Sequence, residues 1–276
     1  MNGSERAVHD DLKEATLKLQ SLESLKSFSL VGGTNIALKL NHRVSCDIDL
    51  FTNLKMGQQG YQKIQQELMD VLEISPEDYY YYFHHGNEQW GASKLQYPLS
   101  NGQSVKVDII DNVQRLDAIE THNGIRCWSL KDVGIQKLIA LGGRIHKKDF
   151  YDLDAITDKI PLIELMVGLE NRLKTYPYPE YDSVLEKDSM GFPTQRSKLL
   201  LSYIELYPGI YDDQLGKQVI EPIAGKTWEE AEKSWIQKAR QIIYESDRFP
   251  QDILNPKKVV RSNLNQKQDK TEGYGY

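Results

Sequence analysis

Two glycines followed by a pair of aspartates constrain this chain more than any other feature. From Phe28 to Phe51 it runs through a short apolar stretch, Phe28–Val31, then Gly32-Gly33-Thr34, a helical segment from about Asn35 to Leu40, and Cys46-Asp47-Ile48-Asp49-Leu50-Phe51. The order reads as strand, glycine turn, helix, strand. Glycine permits a tight turn and close approach of backbone to a ligand. Thr34 is expected to cap the helix, whose first N–H groups suit an anion such as phosphate. Alternate residues of a strand share a face, so Asp47 and Asp49 point the same way, about 7 Å apart. Two such carboxylates repel each other, and a hard cation, Mg²⁺ or Mn²⁺, removes that cost.

A phosphate cradle just before a divalent-metal pair is the equipment of nucleotidyl transfer, in which metals stabilise the attacking and the leaving oxygen. The pattern Gly32-Gly33-Thr34, then Arg43-x-Ser45-x-Asp47-x-Asp49, resembles the DNA polymerase β-like nucleotidyltransferase superfamily and, within it, the AbiEii toxin group of type IV toxin–antitoxin pairs. The resemblance implies a polymerase β-like α+β core, a mixed sheet flanked by helices, followed by a helical C-terminal region. It also implies that Gly32, Gly33, Thr34, Arg43 and Ser45 bind nucleotide, with an NTP as substrate.

The 276 residues suit one large domain or two modest ones. No apolar run approaches a membrane span, and the N-terminus lacks a signal-peptide core, so a cytoplasmic, non-membrane protein is expected. Cys46 and Cys127 form no metal pattern, and Cys46 is expected to be a reduced core thiol. The net charge of −6 argues mildly against a broad nucleic-acid surface; local patches and bound metals weigh more than the total.

Residues 5 to 27 read as a helix, and Gln58 to Leu72 as another with Tyr61, Ile64, Leu68 and Val71 on one face. Tyr79-Tyr80-Tyr81-Tyr82-Phe83 reads as an alternating strand, preferred to a base-stacking or His84-His85 metal reading. Trp90–Tyr97 and Gln103–Ile110 form a hairpin around Asn101-Gly102, and a second hairpin spans Ala118–Trp128 around Asn123-Gly124. In the strand Ser104–Ile110, Lys106 and Asp108 share a face, and a lone carboxylate there is costly if buried unpaired. By resemblance Asp108 is the third site carboxylate, a metal ligand that also accepts the attacking hydroxyl's proton. Asp111 is a weaker substitute.

Ser129 with Asp132 begins a further helix. If it continues, Lys137, Arg144 and Lys148 lie on one face and would clamp a triphosphate. Gly142-Gly143 implies either a break or a closely packed backbone. Asp132, Lys137, Ala140, Arg144, Lys148-Asp149 and Asp152 match an AbiEii motif position by position. The match implies that Lys137 meets the phosphates, that Asp149 is a polar site residue and that Asp152 is structural. The catalytic set expected is Asp47, Asp49, Asp108, Lys137 and Asp149.

Helical segments are expected at 162–173, 195–205 and 227–244, the last opened by a capping box, Thr227-Trp228-Glu229-Glu230. The organisation expected is a nucleotidyltransferase core with its N-terminal helix over 1–157, a helical region over 158–256 and a polar tail over 257–276. Walker A, dinucleotide, zinc and nucleophile-elbow patterns are absent. The activity expected is NMP transfer from an NTP to an acceptor hydroxyl with loss of pyrophosphate. By analogy the acceptor is RNA such as the tRNA 3′ end, and an antitoxin is a partner. A protein acceptor, and a non-catalytic NTP-binding module, are the alternatives.

Overall fold

A computed structural model describes residues 6–83, 90–144, 146–177, 181, 184–185, 191–202 and 219–248. His84-His85 and the polar tail lie outside the described residues. Seven strands form one mixed sheet: β1 (Ser29–Leu30), β2 (Ile48–Phe51), β3 (Tyr79–Phe83), β4 (Gly91–Pro98), β5 (Ser104–Ile110), β6 (Glu120–His122) and β7 (Ile125–Cys127). Their order across the sheet is β3-β4-β5-β2-β1-β7-β6. The β2–β5 and β1–β7 pairs are parallel and the rest antiparallel. The fold is α+β.

Alternation explains the two cores. Ile48 and Leu50 of β2, Val107 and Ile109 of β5, and Tyr79 of β3 face one side, where α1 (Asp10–Ser21) and α3 (Gly57–Leu72) cover them with Leu12, Leu19, Tyr61, Ile64 and Leu68. Phe51, Ala92 and Ile110 face the other side. They join a cluster built from α4 (Leu130–Ala140), α5 (Lys147–Thr157), α6 (Leu162–Thr175) and α7 (Trp228–Arg248). The C-terminal helices therefore share a core with the sheet. Trp235 of α7 is buried there and donates its indole N–H to the Leu200 carbonyl at 2.8 Å.

Local chemistry sets most boundaries. Asn123 and Gly124 both take positive φ, 51° and 83°, as a two-residue hairpin requires. Ser129 Oγ accepts the Asp132 N–H at 3.0 Å and caps α4. Thr227 and Glu230 form the reciprocal capping box of α7, at 2.8 and 3.3 Å.

Several expectations change. The first helix is shorter than 5–27, because the chain turns extended at Leu22, whose side chain is buried, and re-forms only a 3₁₀ turn over Glu23–Leu25. Val71 is 59% exposed rather than on the buried face of α3. Around 195–205 the described residues show a 3₁₀ turn, Ser197–Leu201, that buries three leucines. Cys46 is exposed, not a core thiol, because β2 begins only at Ile48. The basic helix also breaks. Helix α4 ends at Ala140, residues 141–143 form a turn, and α5 starts at Lys147. Lys137, Arg144 and Lys148 thus share no helix face.

Candidate active site

The glycine turn is shaped by the charges packed against it. Helix α2 (Gly32–Leu40) starts at Gly32 itself, with φ +63°, and has no side-chain cap. A Cβ at Gly32 would fall 1.8 Å from Asp49 Oδ2, and one at Gly33 would fall 2.5 Å from Arg43 Nη2. Glycine is required at both positions because a carboxylate and a guanidinium occupy the space of a side chain. Thr34 is therefore not the expected cap. Its hydroxyl donates to the Asp47 carbonyl and lies 2.9 Å from Ser45 Oγ. Thr34, Ser45 and Arg43 are all buried beneath the turn and brace it.

Strand pairing brings the acidic residues together. Asp49 of β2 and Asp108 of β5 are register partners on adjacent parallel strands. Both line a cavity of about 320 Å³ together with Gly32, Lys137, Gln136 and Arg144. Asp47 precedes β2, is exposed and does not line the cavity. Lys106 donates to Asp108 Oδ2 at 2.5 Å, while Asp108 Oδ1 is buried and has no partner. Burial and the neighbouring Asp108 charge push the Asp49 carboxyl up to about 6, against the pull of Lys137.

A buried ion-pair network lies behind the cavity. Lys137, on the last turn of α4, contacts Asp149 at 2.7 Å and Asp152 at 2.8 Å. Arg144 reaches Asp149 at 3.0 and 3.3 Å. Asp152, with no exposed side-chain surface, accepts from Arg43 Nε at 2.6 Å and Nη2 at 2.8 Å, and His42 Nε2 lies 2.8 Å away. Burial opposes ionisation of Asp149 and Asp152, yet Lys137 and Arg144 hold Asp149, and Arg43 and Lys137 hold Asp152, below the usual carboxylate range. Burial likewise opposes the Lys137 charge, and Asp149 and Asp152 raise its pKa.

The structure thus brings Gly32, Asp49, Asp108, Lys137 and Arg144 into one cavity, with Asp149 directly behind the two cations. Gly33, Thr34, Arg43 and Ser45 stand beneath its rim. Lys148 is exposed at the start of α5 and does not line it. Sequence reading missed Lys94 and Gln136, and set Tyr82 aside as part of an alternating strand; all three also line it. Alternation could have flagged Tyr82, but no local signal marks Gln136, whose Oε1 is buried without a partner.

The chemistry of these groups suits a divalent cation. The unpartnered Asp108 Oδ1 and the mutual repulsion of Asp49 and Asp108 both suit a hard cation. Among the described residues no three acidic, His or Cys side chains already stand as a cage. The residues fit as a two-carboxylate site, Asp49 with Asp108.

An uncharacterized protein of Aquifex aeolicus (strain VF5) is 24% identical over 242 residues, covering 86% of this chain and 98% of that protein. Among solved structures, the nucleotidyltransferase toxin MenT4 of Mycobacterium tuberculosis H37Rv is 13% identical with a TM-score of 0.46, covering 83% of this chain and 82% of that one. An antigenic nucleotidyltransferase-like protein of Paracoccidioides brasiliensis is 16% identical with a TM-score of 0.36, covering 67% of this chain and 95% of that one. The family model for the nucleotidyl transferase AbiEii toxin of type IV toxin–antitoxin systems matches residues 19–181, which hold the whole cavity apart from its last two lining residues. The chain belongs to the AbiEii nucleotidyl transferase toxin family.

Proposed function

We propose that the chain transfers NMP from an NTP to an acceptor hydroxyl, releasing pyrophosphate, and that the acceptor is RNA such as the 3′ end of tRNA. One observation carries the chemistry: two in-register carboxylates, Asp49 and Asp108, share a cavity with two cations, Lys137 and Arg144. Asp49 and Asp108, joined by Asp47, would hold Mg²⁺ or Mn²⁺, which supplies charge stabilisation to the phosphates and to the leaving oxygen. Lys137 and Arg144 bind the anionic phosphates, and Asp149 holds both cations in place without occupying the cavity itself. The acceptor oxygen forms a bond to the α-phosphorus while the bond to the bridging oxygen breaks. The acceptor's proton passes to Asp108, whose Oδ1 has no other partner. The pyrophosphate carries away the negative charge, stabilised by Lys137 and Arg144 as it leaves. Arg43, through Asp152, positions both the glycine turn and Lys137. Membership of a toxin–antitoxin family supports an antitoxin as protein partner.

Label transfer tests the proposal. The protein and its Asp49→Asn variant are incubated with each α-labelled NTP, Mg²⁺ and either total tRNA or cell lysate. Label on RNA with the wild type alone is the expected result. Label on protein alone would keep the chemistry and remove the RNA acceptor. NTP binding with no transfer to any acceptor would leave a nucleotide-binding module.

A further inference from the structure

The tyrosine run on β3 divides by alternation, and its outward half faces the catalytic side of the sheet. Tyr80, Lys94, Asp108 and Asp49 stand directly opposite one another across β3, β4, β5 and β2. They form one row on one face. The next row in the same face is Tyr82, Ala92, Ile110 and Phe51. Tyr79 and Tyr81 take the opposite face and pack with Tyr61 of α3. Tyr80 and Tyr82 remain 56% and 40% exposed. Tyr82 and Lys94 also line the cavity, so the open face and the catalytic pocket are continuous. Lys106, 45% exposed, sits beside Asp108 on that face.

We propose that this face is the acceptor track: an unpaired RNA segment crosses the sheet from its β3 edge to the carboxylates, with bases stacked on Tyr80 and Tyr82 and phosphates on Lys94 and Lys106. The proposal rests on the reading of the site as an RNA nucleotidyltransferase. The run from β3 to Asp108 on β5 is two strand spacings, about 10 Å, so a terminal hydroxyl at Asp108 leaves preceding nucleotides above the tyrosines. Tyrosines interleaved with lysines match a polyanion that carries stackable rings, because every base presents a π-face and every linkage a charge. A duplex keeps its bases stacked on each other and offers the tyrosines none. Lys94 and Lys106 also separate the incoming phosphates from Asp49 and Asp108, whose charge would otherwise repel them.

Binding of a short 5′-fluorescein oligoribonucleotide, followed by anisotropy, tests the track without requiring turnover. Tyr80→Ala is expected to weaken binding roughly 5- to 100-fold, and Tyr80→Phe to restore it, since stacking needs the ring and not the hydroxyl. Lys94→Ala is expected to lower the salt slope by about 0.7. Labelled NTP, measured in the two Tyr80 variants, whose residue does not line the cavity, should bind as in the wild type, which also shows that they fold. Wild-type RNA affinity in Tyr80→Ala, or duplex RNA binding as tightly as the unpaired strand, would overturn the track. Transfer to RNA with unchanged affinity in Tyr80→Ala would remove the track and keep the transferase. Tyr80-dependent RNA binding with no transfer to any acceptor would keep the track and remove the transferase.

Discussion

Two groups of buried charge stand a few residues apart in this molecule, and they are built in opposite ways. In the network of Arg43, Asp152, Lys137, Asp149 and Arg144 each carboxylate meets at least two cations within 3.0 Å. In the pair Asp49 and Asp108 the carboxylates stand side by side on adjacent strands, the Asp49 carboxyl is pushed up to about 6, and Asp108 pairs with Lys106 through one oxygen while the other has no partner. The first arrangement satisfies its charges internally, as burial requires, because a buried charge is tolerated only when it is paired. The second is electrostatically incomplete, and that incompleteness is where a cation and a phosphate would bind. Lys137 and Arg144 bridge the two, satisfied on one side by Asp149 and open to the cavity on the other.

The comparison breaks hardest at Asp152. Replacing Asp152 with Ala leaves Arg43 buried without its bidentate partner and Lys137 with one partner fewer. Stability should fall by about 3–5 kcal/mol, read from urea midpoints. Asp49→Asn should do the reverse: transfer falls by roughly 10²–10³-fold while the melting temperature holds or rises, because a repulsion is removed with the charge. A variant that loses both would show that Asp49 belongs to the structural network. Gly32→Ala adds a Cβ at positive φ onto Asp49 Oδ2 and should cost about 1–3 kcal/mol and most of the transfer activity, checked by thermal melts beside the label assay.

Acid and metal sharpen the contrast further. Asp149 and Asp152 titrate below their unfolded value near 3.9, so their contribution is present above that pH and lost as pH falls through their folded values. Urea midpoints should hold from neutral pH down to about 5 and drop below about 4, and much less so in Asp152→Ala. Mg²⁺ should raise the melting temperature of the wild type in proportion to RT ln(1 + [Mg²⁺]/Kd) and leave Asp49→Asn unmoved. An equal rise in both would remove the cation from this pair. Lys148→Ala, an exposed residue away from the cavity, should change transfer by less than about twofold.

What could be read without coordinates follows from periodicity and backbone chemistry. Two hairpins were legible because Asn-Gly favours positive φ, and two helix starts because Ser129 and Thr227 place oxygens where N–H groups need them. Asp108 was legible as a candidate because a carboxylate between apolar neighbours is costly unpaired, Asp49 because alternation sets it on one face with Asp47, and Lys137 through its place in the AbiEii motif. Partners in space were not. A spacing of seven residues suggested that Lys137 and Arg144 share a helix face, yet the helix breaks at Leu141–Gly143 and the two cations meet through Asp149. The resemblance marked Arg43 and Ser45 as nucleotide residues, and only the tertiary structure shows them buried beneath the glycine turn.

The order of glycine turn, acidic strand and basic helix lies in the sequence alone, since each element depends on residues near it in the chain. The register that sets Asp49 beside Asp108, the pairing of Arg43 with Asp152 across 109 positions, and the alignment of Tyr80 and Lys94 with the carboxylates were decided only by tertiary structure. Those contacts depend on which strands pair and which charges are buried together, and a local pattern does not encode either.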